Sequence, residues 1–472
     1  YLFGFSSKEV KKKELIIILQ ASVVPTVAER LSMRLKRKNY IQLNKQILRL
    51  AIPNIISNLS VPLLSSVDTA LVGHLDEIYY LGALAVGGII FNFIYWGFGF
   101  LRMGTTGLTA QAYGTKNDVE IILILVRTLL IALICGLSLI ILQTAIAKVS
   151  FLLIAATPEV EKYAGEYFYI RIYAAPATLA LYAFHGWFLG MQNAHYPLIL
   201  TVFVNVVNIV FNVIFIQVFD LKSDGVAYGT LIAQYSGLIV AGVLFVKKYK
   251  NYNSNIVKKL ILEATALKRI FAVNRDIFIR TLCLIFTFSY FTARSAASGD
   301  QILAVNSILL QLISLLAYSV DGIAFASESL VGKYIGARDK SNLNKTIKYS
   351  FYWGLGLGVL ISLIYTIFGE SILRIFTDNE TIILLAMSYM VWIIIAPLIN
   401  SFCFIWDGIF IGATATVPMR NSMLVSALVI FLPAYLLLRA SLQNHSLWLA
   451  LTLFMIMRGV TLTWYAKKYI LQ

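Results

Sequence analysis

The sequence has few charged residues for its length. Charged side chains make up 13% of the 472 residues, whereas 59% are hydrophobic and the mean hydropathy is +0.79. This composition excludes an ordinary water-soluble globule, because its polar residues are too few to cover the surface of one. It predicts a polytopic membrane protein.

Cysteine and histidine are scarce too, with three and four copies. Cys135, Cys283 and Cys403 each lie in an apolar run without metal-ligand spacing, which excludes a disulfide framework or zinc site and indicates core positions. A G-x-x-x-x-G-K-[S/T] loop and an H-E-x-x-H motif are both missing, which excludes a primary pump and a zinc protease. We therefore expect a protein that is not an enzyme and has no cofactor or metal.

Positive charge is plentiful but dispersed. The net charge is +16, yet the lysines and arginines fall mostly in short segments between apolar runs rather than on one tail. This pattern is typical of membrane topology, and we expect no nucleic-acid partner.

Twelve apolar runs are long enough to cross a bilayer, which takes about 20 helical residues. Helices are predicted because every backbone group in lipid must be paired within the segment, and the alternation of a transmembrane barrel is absent. The predicted spans are 50–75, 81–107, 120–145, 164–190, 197–220, 225–247, 273–296, 301–330, 346–369, 384–412, 419–440 and 446–466.

The loops alternate in charge. Basic residues collect before the first span, between the sixth and seventh, between the eighth and ninth, and after the twelfth, whereas the intervening loops are acidic or neutral. Because cytoplasmic loops carry the excess of lysine and arginine, we expect a multi-pass protein of the cell (inner) membrane with both termini in the cytoplasm.

The chain is predicted to contain two lobes and a linker. Residues 1–44 are a cytoplasmic N-terminal segment, disordered or non-native before Met33, with an amphipathic surface helix as the alternative. The N-lobe is 45–248 and the C-lobe is 273–472. Between them, 249–272 reads as an amphipathic cytoplasmic helix, since apolar residues recur among its lysines.

The two lobes repeat each other at an offset of about 221 or 222 residues. Residues 111–114 read QAYG and 333–336 read KYIG, while 186–190 read GWFLG and 408–412 read GIFIG. Six spans separate the copies, so both lobes point the same way across the membrane. The pattern predicts an all-α protein of twelve transmembrane helices in two pseudo-symmetric six-helix bundles, the parallel-repeat plan of secondary transporters with a site between the lobes.

Several strings resemble the multidrug and toxic compound extrusion (MATE) transporters, most closely their DinF-like branch. They are PNIISNLSVPLLSSVDTALVGHL in the first span, VDGIAFASESLVGKYIGA in the eighth and WDGIFIGATATVPMRNS in the tenth, and the resemblance covers residues 45–466. It implies a V-shaped central cleft and alternating-access export of organic, cationic or amphiphilic, drug-like compounds in exchange for inward H+ or Na+.

One alternative on the same superfold is a flippase or exporter of lipid-linked or polysaccharide precursors. Such a protein needs cationic residues in the cleft for the phosphates, whereas most charges noted within the spans are acids. We expect a monomer in the lipid bilayer with a small organic substrate.

Asp68 is the first candidate for ion coupling. A charged side chain in a membrane helix costs about 2.5–3.5 kcal/mol, so an acid there indicates function, although a fixed hydrogen bond is the alternative. Pro53 and Pro62 in the same span predict kinks, either static or part of the cycle. The resemblance implies that a proline matching Pro53 bends the helix on protonation, and that Asp68 is the N-lobe coupling carboxylate.

The fifth span places Asn205, Asn208 and Asn212 on one helical face. These amides could hold a proton-binding water or an ion beside Asp68, or could join helices by hydrogen bonds. Many relatives have an aspartate in place of Asn212, so the resemblance leaves Asp68 to work with amide partners.

The C-lobe carries a second set of charged candidates. Asp321 and Glu328 share a face of the eighth span, and Asp407 lies in the tenth. The resemblance implies that Asp407 is a cation-coupling acid, whereas Asp321 and Glu328 either serve coupling or pair with Arg280 in a structural network.

Aromatic residues could wall the cleft. Two pairs spaced four residues apart share helical faces and are weak candidates for contact with flat or cationic substrates. They are Phe91 with Tyr95 and Phe286 with Tyr290.

Overall fold

The computed structural model describes residues 27–73, 77–154 and 156–471, with side chains from residue 41. Within these ranges the regular structure is entirely helical. The chain divides into two compact units, Tyr1–Leu48 and Arg49–Gln472, and the sites discussed below lie in the second.

The first half comprises α1 to α9. Their bounds are α1 Val27–Gly73, α2 Ile78–Gly97, α3 Phe100–Thr115, α4 Asp118–Ile141, α5 Gln143–Leu153, α6 Pro158–Arg171, α7 Ala175–Gly190, α8 His195–Gln217 and α9 Ser223–Tyr249. A 3₁₀ turn, Ile172–Ala174, separates α6 from α7.

The second half follows a short helix, α10 Lys258–Ile261. Its bounds are α11 Ala264–Ala297, α12 Asp300–Gly336, α13 Lys340–Phe376, α14 Glu380–Gly412, α15 Thr416–Leu424, α16 Leu432–Leu442 and α17 Asn444–Tyr469.

Ten helical segments in the described ranges are long and apolar enough to cross a membrane. They correspond to ten of the twelve predicted spans. The other two, 164–190 and 273–296, coincide with α6 and α7 together and with α11. The first is divided by the 3₁₀ turn and contains Glu166 and Arg171, and the second contains Arg275, Asp276 and Arg280.

Residues 1–26 lie outside the described part of the chain. The predicted disorder before Met33 can therefore be compared with the structure only at residues 27–32. From Val27 onward the backbone is helical and continuous to Gly73. Residues 27–44 are therefore helical, including the six before Met33 for which disorder was predicted.

The backbone repeats along with the sequence. Left-handed φ angles occur at Lys116 (56°) and Arg338 (54°), and again at Gln192 (61°) and Thr414 (52°). The members of each pair are 222 residues apart, and each follows the end of a helix. Since non-glycine residues rarely adopt this conformation, its recurrence at one offset shows that the halves end equivalent helices in the same way.

Each half has its own hydrophobic core. One cluster of buried residues runs from Val72 to Ile270 and includes Trp187, whose indole N–H donates to the Ile121 carbonyl at 2.9 Å. The other runs from Cys283 to Met455. The two clusters share no residue, as expected for two bundles, although the exact lobe boundaries stay a prediction.

The eleventh predicted span is one helical path with an irregular middle. A π-helical segment, Val425–Phe431, joins α15 to α16. Pro433 lies two residues beyond its end and lacks the N–H that an α-helix would pair with the Val429 carbonyl, so the backbone widens before the proline.

The linker prediction was wrong in form, because 249–272 is not one amphipathic helix. It consists of a 3₁₀ segment, Lys250–Asn255, then α10, and then the first turns of α11. Asparagine and serine, which are poor helix formers, fill most of the 3₁₀ segment. The fully buried Arg127 of α4 also donates to the carbonyls of Leu260 (2.6 Å) and Ile261 (3.2 Å), which ends α10.

We expect Arg127→Met to free the linker from the first half. Arg127 also contacts both Glu120 oxygens at 3.2 Å, so its loss leaves a carboxylate and two carbonyls without their donor. A loss of about 1–3 kcal/mol in local stability should raise tryptic cleavage at Lys258 and Lys259 at least about fivefold. The exposed Arg439→Met is the control, and equal cleavage in the two variants would contradict this role.

Candidate coupling site

Asp68 lies on α1 and pairs with α8. The Asn212 side-chain nitrogen donates to Asp68 Oδ1 at 2.7 Å. Asp68 is partly buried, and Asn212 is fully buried. The structure thus brings together the carboxylate and the amide that the sequence placed on separate helices.

The amide face of α8 contacts α1 at two levels. Asn205 donates to the Ser60 hydroxyl at 3.2 Å, two residues before Pro62. The Asn208 amide lies 3.0 Å from that of Asn212 and, in one of its two orientations, donates to Asp68 at 3.3 Å. Interhelical hydrogen bonding and contact with the acid are therefore combined on one face.

A cation that the sequence analysis missed lies beside this pair. The positive charge of Arg171, at the end of α6, acts on Asp68. Its guanidinium stacks on the Phe91 ring, 4.7 Å from the centroid, and donates to the Tyr167 hydroxyl. Asp68 thus accepts a hydrogen bond from an amide and lies in the field of a positive charge. An arginine within a predicted span is as costly as an acid and was a detectable signal.

Gly229 on α9 makes room for Asn212. A Cβ added at Gly229 would lie 1.9 Å from Asn212 Oδ1, which no real contact allows. Asn212 Oδ1 is itself buried without a hydrogen-bond partner among the described residues. Packing against Gly229, rather than a hydrogen bond, therefore positions this oxygen.

We expect Gly229→Ala to impair transport by displacing Asn212. A hydrogen bond to a charged group contributes about 1.5–3 kcal/mol, so the initial transport rate should fall by about tenfold. Gly242→Ala on the same helix is the matched control, because a Cβ there meets nothing within 4 Å. The positioning role is wrong if the two alanine variants transport equally.

Both predicted prolines lie inside α1. Pro62 lacks the N–H that would pair with the Asn58 carbonyl, and the Asn58 side chain donates to the Tyr318 carbonyl of the second half at 3.2 Å. Pro53 is buried, nine residues earlier on the same helix. The helix is therefore weakened where it touches the other half, while bending during transport stays a prediction.

The acid of α14 forms a different kind of site. Asp407 Oδ2 accepts from Arg280 at 2.7 Å and from Arg458 at 2.5 Å, and all three side chains are buried. Two guanidinium groups on one carboxylate oxygen favour an ion pair that keeps its charge. Arg458 on α17 was a further missed residue.

The predicted pairing of Asp321 and Glu328 with Arg280 is wrong in detail. Arg280 pairs with Asp407 instead, and the ion-pair partner of Glu328 is Arg102 of α3, at 3.7 Å. Asp321 lies in the field of the same arginines without an ion pair shorter than 4 Å among the described residues. Sequence spacing placed Asp321 and Glu328 on one face but could not show which cations the other helices bring to it.

We call this group of three arginines and three acidic residues the arginine–carboxylate cluster. They are Arg102, Arg280, Arg458, Asp321, Glu328 and Asp407.

The aromatic candidates divide between the two cores. Phe91 is fully buried and stacks with Tyr95 and Phe168, so it does not line a cleft in this structure. Tyr290 packs edge-on against Phe431 in the second core. Phe286 is 38% exposed.

Among the described residues, no group of three histidine, cysteine, aspartate or glutamate side chains could hold a metal ion. The three cysteines are free; two are buried and Cys135 is partly buried.

Relatives of known class match most of the chain. DNA damage-inducible protein F of Escherichia coli strain K12 is 40% identical over 421 residues, which cover 89% of this chain and 91% of that protein. The probable multidrug resistance protein NorM of Thermotoga maritima is 24% identical over 367 residues, covering 73% and 76%.

The fold matches solved transporters. The outward-facing structure of a multidrug resistance MATE family transporter of the MOP superfamily has a TM-score of 0.82 at 20% identity, covering 90% of this chain and 96% of that one. A MOP superfamily transporter from Pyrococcus furiosus has a TM-score of 0.81 at 18% identity, with the same coverage.

The family model MatE matches twice, at residues 53–214 and 277–436, once in each half. The double match agrees with the internal repeat, and the resemblance noted in the sequence is confirmed. The chain therefore belongs to the MATE family of multidrug and toxin extrusion transporters and is a multi-pass membrane protein.

Proposed function

We propose that this transporter exports organic compounds in exchange for inward protons, and that Asp68 is the group that binds and releases the proton. One observation carries the choice of ion. The Asn212 amide presents its N–H to Asp68, and Arg171 adds positive charge nearby. A sodium site needs several oxygen ligands facing the ion, whereas the contacts described for this carboxylate are an amide N–H and the field of a cation.

The amide neighbours fit a carboxylate that changes charge. The ionised form accepts the hydrogen bond from Asn212, and protonation removes the negative charge that Arg171 and the amide stabilise. Loss of that charge weakens the hydrogen bond between α1 and α8, on the helix that contains both prolines. This links proton binding to the position of α1.

Asp407 has a structural role in this proposal. Its two arginine partners favour a permanent ion pair over an exchangeable proton. The ion pairs of Asp407 would then stabilise the second half, while the proton binds and leaves in the first half. The lobes 45–248 and 273–472 would rock against each other in alternating access.

The substrate class is inferred from the relatives, several of which are named for multidrug resistance. We propose drug-like, cationic or amphiphilic compounds. Lipid-linked precursors are less well supported, because a carboxylate lies within 4 Å of each of Arg102, Arg280 and Arg458. We further propose a monomer in the cell membrane with cytoplasmic termini, in keeping with the basic loops.

Proteoliposomes with an imposed gradient test the coupling ion. Ethidium serves as the transported probe, and vesicles carry a pH gradient or a sodium gradient with the other ion balanced. The proposal predicts accumulation with the pH gradient alone. Accumulation driven only by sodium would show that the ion is wrong.

A further inference from the structure

The first turns of α4 are buried on every side. Residues 121–125 are each at most 3% exposed, and five consecutive positions complete more than one helical turn. Farther along the same helix, Leu133, Ile134 and Leu137 are 46–56% exposed, as expected for side chains that face lipid. Other parts of the protein therefore lie between the start of α4 and the lipid.

The linker between the two halves supplies part of this cover. Its 3₁₀ segment, Lys250–Asn255, and the short helix α10 both pack against α4. Tyr252 and Ile256 contact the hydrophobic core of the first half. The linker thus occupies a position beside α4 that lipid would otherwise take.

Arg127 determines the depth of the linker. Its guanidinium donates to the carbonyls of Leu260 and Ile261 and also to Glu120 at 3.2 Å. Glu120 is the first residue of the predicted span 120–145. The helix α10 therefore lies beside the start of a membrane span, where the lipid headgroups meet the apolar layer.

The outer face of this segment is amphipathic. Val257 is 43% exposed and Leu262 is 67% exposed, and the neighbouring Lys258 and Lys259 are exposed as well. Leu262 follows the two lysines by four and three residues, which is the spacing of neighbours on one helical face. At a membrane surface such a leucine enters the edge of the apolar layer, while lysine side chains extend to the headgroups.

The charge of the linker complements an anionic surface. Residues 247–269 contain seven lysines and arginines, all of them exposed, and a single acid, Glu263. Glu263 lies 4.0 Å from the Arg127 guanidinium. Clusters of this size next to a transmembrane helix attract anionic lipids, and each lysine near the surface raises the affinity about fivefold.

We propose that residues 256–263 bind anionic lipid headgroups, with Val257 and Leu262 at the edge of the apolar layer and Lys258 and Lys259 on the lipid phosphates. The lipid would then be bound by the segment that joins the two halves of the protein. This inference depends on neither the coupling ion nor the substrate proposed above.

Hydrogen–deuterium exchange of the full chain in nanodiscs tests the lipid contact. One set of nanodiscs contains phosphatidylcholine alone, and the other contains equal parts of phosphatidylcholine and phosphatidylglycerol. The backbone amides of 256–263 should exchange about tenfold more slowly in the anionic set, because bound lipid opposes the local opening that exposes them. Equal exchange in the two sets would overturn the proposal.

A double variant, Lys258→Gln with Lys259→Gln, tests the role of the two lysines. In the anionic nanodiscs its exchange at 256–263 should return to within about twofold of its rate in phosphatidylcholine. Lys467→Gln with Lys468→Gln is the matched control, because it removes the same charge from two exposed lysines in the last turn of α17 and should keep the native slowing. Equal slowing in the two double variants would contradict the assignment of the lysines.

Leu262→Gln tests the apolar contact without changing the charge. Its exchange at 256–263 in the anionic nanodiscs should be at least about threefold faster than in the native chain, and an unchanged rate would contradict insertion of the leucine. Inorganic phosphate added to the phosphatidylcholine nanodiscs should have no effect. Slowing by phosphate as large as that by phosphatidylglycerol would show a simple anion site and overturn the assignment to lipid. Because no gradient or substrate is present, failure of proton coupling cannot produce any of these results.

Discussion

Asp68→Asn is expected to abolish proton-driven accumulation and leave the protein folded. Asparagine has nearly the same shape, and its oxygen can still accept the hydrogen bond that Asn212 donates to Asp68 at 2.7 Å. It cannot bind or release a proton. A pH difference of one unit supplies about 1.4 kcal/mol per proton and supports about a tenfold concentration ratio, which should fall to about one in the variant.

Ethidium accumulation in proteoliposomes measures this ratio. Asp220→Asn is the matched control, because the same chemical change occurs on a carboxylate outside the predicted coupling site, with 89% of its side chain exposed. The control should keep the native ratio. Native accumulation in Asp68→Asn would place coupling elsewhere.

Asp407→Asn is expected to destabilise the protein rather than uncouple it. Asp407 Oδ2 accepts from Arg280 and from Arg458, so its loss leaves two buried guanidinium groups without their counter-charge. Breaking a buried ion pair by removing one partner costs about 3–5 kcal/mol. The midpoint of thermal unfolding should fall accordingly, while the remaining folded protein keeps its pH-driven transport.

A double-mutant cycle separates the interaction between Asp407 and Arg458 from general destabilisation of the fold. Arg458→Met should be destabilising alone, and its combination with Asp407→Asn should cost less than the two single effects together. Glu370→Gln is the control, because its partner Arg374 is an exposed side chain. Full additivity in the cycle, or loss of transport by folded Asp407→Asn, would contradict a structural role.

The sequence alone was sufficient to predict the acid of the site and its amide partner. An acid in a membrane span and three amides spaced along one helical face led to Asp68 and Asn212, and the structure joins them. Helical periodicity determines which residues share a face. The free-energy cost of burying a charge in the membrane indicates which ionisable residues have a function. The sequence did not predict which side chains of neighbouring helices contact each other.

The misses have one cause. Arg102, Arg171 and Arg458 lie within predicted spans, where a cation is as costly as an acid and therefore equally indicates a role. Partner choice was beyond the sequence, because spacing along one helix does not reveal what another helix brings to it. Arg280 therefore pairs with Asp407, and Phe91 faces a core rather than a cleft.

The linker shows a similar limit. Its apolar spacing predicted one amphipathic helix, yet Arg127 of α4 binds two of its carbonyls and ends α10 after four residues. A buried donor from a distant part of the chain outweighed the local pattern. Such tertiary contacts decide where weak helices end.

Infrared difference spectroscopy tests whether Asp68 binds and releases the proton, because it detects a protonated carboxyl group by its carbonyl stretch. The purified protein in lipid is titrated across the pH range in which transport is active. We expect a band that appears on acidification, is lost in Asp68→Asn and is kept in Asp407→Asn, whereas a band from Asp321 or Glu328 would persist in both variants. A band that survives in Asp68→Asn and disappears in Asp407→Asn would contradict this expectation.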